Sequence, residues 1–122
     1  MKNLFICCLL FFTIPSFASW YAVQETDDSI IHIDPDTLKK DGVYRKMWHY
    51  EERKVIGEFK DKSVRSLKEY DCKNDKIRIL SFSMFPESNL KGRTIMSVDT
   101  PSIWIDLAPN TPSFNIAKLI CL

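Results

Sequence analysis

Apolar and polar positions alternate most regularly over residues 63–85, SVRSLKEYDCKNDKIRILSFSMF. In the first arm Val64, Ser66, Tyr70 and Cys72 share one side, while Arg65, Glu69 and Asp71 mostly share the other, the period-2 pattern of a half-buried strand. Lys73, Asn74 and Asp75 follow, residues that tolerate the left-handed backbone of a tight hairpin. The return arm changes phase: Ile77 and Ile79 fall on one face, then Leu80, Phe82 and Met84 on the other. That predicts a bulge near Leu80, or burial on both faces as in a central strand. The hairpin is therefore expected at the middle of an antiparallel sheet.

Shorter strands are predicted on both sides of it. Residues 20–23 are aromatic and β-branched, residues 30–33 form a second apolar run, and in residues 43–50 Tyr44, Lys46, Trp48 and Tyr50 alternate with Val43, Arg45, Met47 and His49. A last strand is expected over residues 93–98. Between the second and third strands, Asp34-Pro35 opens and Gly42 closes a segment that predicts one helical turn. Residues 51–62 are charged almost throughout and predict a mobile connection, and residues 86–92 predict a second polar loop. At the end of the chain the period changes: Thr111 is placed to cap a helix starting at Pro112, with Phe114, Ala117, Leu119, Ile120 and Cys121 at mixed spacings of three and four. About ten residues make an isolated helix marginal in water, so this one must dock. The fold class is α+β, a roughly six-stranded antiparallel sheet with a C-terminal helix on one face.

The first 18 residues do not belong to that domain. Lys2, an apolar run over residues 4–14 and the small residues Ser16 and Ala18 predict a signal peptide cut after Ala18. The apolar run is about half the roughly 20 residues that a bilayer-spanning helix needs. Cys7 and Cys8 lie inside it and leave with it. The mature domain, residues 19–122, keeps Cys72 and Cys121, which in an exported protein read as one disulfide, one that holds the terminal helix on the sheet.

The chain has 17 Lys and Arg against 16 Asp and Glu, and Lys2 is lost with the leader, so the mature charge balances. A neutral domain argues against nucleic acid or an anionic membrane surface as a bulk electrostatic partner. Chemistry is sparse. His32 and His49 are the only histidines and each sits in a predicted strand; no G-x-S-x-G elbow is present, and three glycines supply no phosphate-cradling loop. The paired carboxylates Asp27-Asp28 and Glu51-Glu52 read as solvated, and Trp20, Trp48 and Trp104 read as core. No catalytic set, metal site or cofactor is expected. The sharpest candidate for binding is the 51–62 connection, where Arg53, Lys54, Lys60 and Lys62 accompany Val55, Ile56 and Phe59.

Trp20, the segment IDPDTLKKDG at 33–42, Trp48, the hairpin with its Tyr-Asp-Cys, Pro-Ser-Ile-Trp at 101–104, Pro109 to Pro112, and a cysteine one residue from the end together resemble the surface-adhesin protein E family of Gram-negative bacteria. The likeness spans the mature chain, and its most specific part is the Tyr-Asp-Cys hairpin with the terminal Cys. It implies a six-stranded antiparallel sheet, a C-terminal helix held by a disulfide, export to the periplasm or outer surface, and partners among host extracellular-matrix or serum proteins. The loop at 86–92 departs from it in carrying a single glycine. A periplasmic structural or envelope role, and a small periplasmic enzyme or inhibitor using the His32 and His49 region, stand as alternatives.

Overall fold

The computed structural model describes residues 19–122; the leader expected over residues 1–18 lies outside the described residues. Seven strands and one α-helix follow in order: β1 (Tyr21–Glu25), β2 (Ser29–Asp41), β3 (Tyr44–Arg53), β4 (Ser63–Asp71), β5 (Lys76–Phe85), β6 (Met96–Val98), β7 (Ile105–Asp106) and α1 (Pro112–Ile120). The sheet runs β1-β2-β3-β4-β5-β6 with every pair antiparallel, and the two-residue β7 adds to β5 beside β6. From β1 to β6 each strand pairs with its sequence neighbour.

β4 and β5 form the central hairpin, in register from Asp71 opposite Lys76 to Ser63 opposite Phe85. The phase change in the sequence is real. Leu67 faces Ser81 and Lys68 faces Ile79, so Leu80 is the extra residue of a bulge. At the turn Asp75 is left-handed (φ 50°), and the Asp71 carboxylate accepts the Lys73 and Asn74 amides at 3.1 and 3.0 Å. The Asn74 side chain donates to the same carboxylate at 2.9 Å, and this bond leads in holding the Asp71 carboxyl below its usual range.

Residues 34–42 are not a helical turn. Residues 34–41 continue β2, whose pairing with β3 breaks between Asp34 and Lys39 and then resumes, and Gly42, left-handed at φ 58°, makes the tight turn expected there. Asp-Pro followed by Thr can start a helix, but here the same groups shape a wide bulge. The Asp34 side chain accepts the Asp36 amide (3.2 Å), and the Thr37 hydroxyl donates to the Asp34 carbonyl (2.7 Å) while accepting the Trp48 amide (3.0 Å). Thr37 thus replaces the ladder bond that the bulge removes. Thr37→Val keeps the shape and should cost about 1 kcal/mol. An unchanged midpoint in urea unfolding would show that the hydroxyl does not hold the bulge.

Other segments are tighter than their composition predicts. The strand expected over residues 93–98 is three residues rather than six (β6), and in the preceding loop Asn89 and Leu90 take the left-handed angles that additional glycines would otherwise supply. The helix begins at Pro112 as expected, with the Phe114 amide donating to the Thr111 hydroxyl at 3.3 Å. Ile116, Ala117 and Ile120 bury against Ile33, Met47, Tyr70, Ile77 and Leu107. Cys121 bonds to Cys72 with Cα atoms 5.6 Å apart, which pins the helix onto the sheet face carrying Tyr70. Among the described residues the other sheet face carries no α-helix, only the short turn Ser88–Leu90, whose Asn89 amide meets Tyr50 and Glu52.

Candidate functional site

The charged connection is an ordered loop. β3 extends to Arg53, and the Arg53 amide donates to the Lys62 carbonyl (2.9 Å), the Lys54 amide to Asp28 (2.7 Å) and the Lys62 amide to Phe85 (2.8 Å). Within it Asp61 is 1% exposed, and its carboxylate takes the Arg53 Nε–H at 2.5 Å. Gly57 lies directly over that carboxylate: a Cβ there would fall 2.3 Å from an Asp61 oxygen, so any side chain would push the carboxylate out of its place. The 57–61 turn is closed by the Gly57 amide donating to the Asp61 carbonyl and the Lys60 amide to the Gly57 carbonyl.

The four predicted cations are brought to one loop but play unequal parts. Arg53 is committed to Asp61, with Glu51 a further 3.5 Å contact, and Lys62 Nζ donates to the Arg53 carbonyl. Lys54 meets Glu25 on β1 at 2.5 Å, a hydrogen bond that holds the Glu25 carboxyl below its usual value. Lys60, left-handed at φ 65°, enters no ion pair among the described residues. Between them Val55, Ile56 and Phe59 stand 63%, 61% and 50% exposed. The loop thus carries three bare apolar side chains with flanking cations on a backbone held by hydrogen bonds.

The histidines do not converge. His49, on the helix side, is buried: its Nδ1–H donates to the Met47 carbonyl (3.0 Å) and its Nε2 accepts from the Tyr70 hydroxyl (2.7 Å). Burial, reinforced by the charge of Lys68, pulls its pKa down to about 3, so it is a neutral packing group. Burial likewise pushes the Tyr70 phenol up. His32 lies on the opposite face, stacked on Tyr50 with ring centroids 4.7 Å apart. Among the described residues the two histidines therefore lie on opposite faces of the sheet and do not form one site.

The tryptophans are the clearest correction: none belongs to the buried core. All three lie half-buried on the face without the helix. Trp20 packs on Tyr50 (5.5 Å), Arg65 lies over Trp48 (5.1 Å), and Arg78 lies over Trp104 (4.4 Å), which also meets Tyr44 (6.0 Å). Buried Glu69 joins the strands beneath, taking Arg78 at 2.7 Å with Lys46 at 3.9 Å. Arginine over indole gives Trp48 and Trp104 a cation on the ring face. The alternation of Tyr44, Lys46, Trp48 and Tyr50 showed that they share a face. It did not show that the helix would choose the other one.

The family model described as Surface-adhesin protein E matches residues 20–122. No curated protein gives a significant match. Among solved structures, Haemophilus influenzae protein E matches with a TM-score of 0.60 at 18% identity, covering 87% of this chain and 86% of that one. Its crystal form II gives 0.59 at 18% identity, over 87% and 89%. Protein E from non-typeable H. influenzae gives 0.56 at 19% identity, over 88% and 78%. At such identities the likeness speaks to the fold.

Proposed function

The chain belongs to the surface-adhesin protein E family, and from that premise we propose that it is an exported, non-catalytic adhesin that binds host extracellular-matrix or serum proteins. Export proceeds through cleavage after Ala18, leaving Trp20 at the head of a domain that starts at the sheet edge. The observation that carries the binding assignment is the loop between β3 and β4. It presents Val55, Ile56 and Phe59 on a backbone fastened by Asp61, and cations surround them. In this reading Lys54 and Lys60 meet the partner, while Arg53 and Lys62 hold the loop in the shape it offers.

Because the mature domain is neutral, attraction is local, and binding should weaken only moderately with salt. Replacing Val55, Ile56 and Phe59 by Ser, or all four cations by Ala, is expected to lower affinity for immobilised matrix or serum proteins at least about tenfold. Unchanged affinity in both variants would move the contact elsewhere. If the unmodified domain binds no such protein, and protease treatment of intact cells leaves it uncut, a periplasmic envelope role replaces the adhesin.

A further inference from the structure

On the helix side the sheet is not fully covered. A cavity of about 280 Å³ lies between the start of α1 and strands β5 and β7, walled by Ile77, Ile79, Ile105 and Leu107, with Thr111 at its margin and Lys68 in its lining. Two other charged residues border it, and both are matched elsewhere. Arg78 binds Glu69 at 2.7 Å on the far face, and Asp106 faces Lys76 at 3.4 Å.

Lys68 is not matched. Its ammonium enters none of the ion pairs and none of the side-chain hydrogen bonds among the described residues. It extends from the centre of β4 onto the face of Met47, His49 and Tyr70, where both ring and phenol stay neutral. Burial holds its pKa below the ordinary lysine value, and Glu51 is the one charge that opposes this. A partly buried cation without an ion-pair partner is unfavourable, and so is an apolar wall left open to water beside it. One kind of ligand relieves both.

The geometry points to a binding site for a small amphiphilic monoanion, with its apolar body against Ile77, Ile79, Ile105 and Leu107 and its carboxylate on Lys68. The volume falls just below the roughly 300–1,000 Å³ found for ligand pockets, which selects a medium-chain or single-ring carboxylic acid over a whole lipid. This site is separate from the adhesin loop and stands or falls independently of it.

Octanoate is a suitable probe, with octan-1-ol and octylammonium as controls of equal length, titrated calorimetrically and by NMR of the lysine Cε–H signals. The expected result is saturable one-to-one octanoate binding that shifts the Lys68 signals, about tenfold weaker octanol binding and no octylammonium binding. Lys68→Met, which replaces an unpaired cation by an apolar chain of similar length, should fold and lose the preference for octanoate over octanol. Absence of saturable octanoate binding, octanoate and octanol binding equally, or an unaltered preference in Lys68→Met would each overturn the site. Should that variant not fold, octanoate binding to the unmodified protein with no shift at Lys68 overturns it as well.

Discussion

Replacing Cys121 by Ala, or reducing the protein, should lower the stability of the folded domain by about 4 kcal/mol, the chain-entropy value for closing a loop of this size. The two cysteines are 49 positions apart, and the bond joins the β4–β5 turn to the residue that caps α1. Nine residues of helix are too few to persist in water unless docked, and their docking surface consists of Ile116, Ala117 and Ile120. Without the bond, α1 should detach before the sheet melts. A domain with a total stability of about 5–15 kcal/mol would then be marginal. Urea unfolding gives the size of the loss and amide exchange gives the order. A loss under about 1 kcal/mol with α1 amides still protected would mean that helix packing alone is sufficient.

The second large effect is acid sensitivity centred on His49. Its folded pKa is about 3 against an ordinary value of 6.5. Between those limits the unfolded chain holds the extra proton, so the stabilising effect is complete above pH 6.5 and is lost as pH falls toward 3. The shift corresponds to about 4–5 kcal/mol at most. His49→Gln keeps a side chain able to bond Tyr70 but does not titrate, so its stability between pH 6.5 and 4 should fall far less steeply than that of the unmodified protein. The Asp71 and Glu25 carboxyls, both held below their usual values, contribute their own losses at lower pH in either protein. Parallel stability curves for the two proteins, measured by urea unfolding at several pH values, would exclude His49 as the source.

Most of the framework was legible because it depends on local pattern. The phase slip at Leu80 located the bulge, Thr111-Pro112 located the helix start, and Cys72 and Cys121, the two cysteines of the expected mature domain, form the disulfide. What misled was chemistry with two uses. Asp34, Pro35 and Thr37 suit a helix start, and the decision against it comes from the Trp48 amide, eleven residues away in β3. Trp48 was legible as sharing a side with Tyr44, Lys46 and Tyr50, but the choice of covered face belongs to α1 and the disulfide, more than sixty residues further along the chain. In the 51–62 segment charge alone suggested mobility. Asp61 looks like its acidic neighbours in the sequence, and only its position under Gly57 and beside Arg53 makes it the fastening of the loop.

The Cys72–Cys121 bond also decides how the domain responds to mechanical force. Tension between Ser19 and Leu122 follows the shortest covalent path, along the backbone to Cys72, across the sulfurs to Cys121 and out. Residues 73–120, which include β5, β6, β7 and α1, lie off that path and stay slack. Only β1 to β4 can be drawn out, roughly 50 residues at about 3.5 Å each, so the chain lengthens to about half of what its sequence would permit. Under pulling, the domain is a short tether with a reserve that remains locked while the cysteines are oxidised.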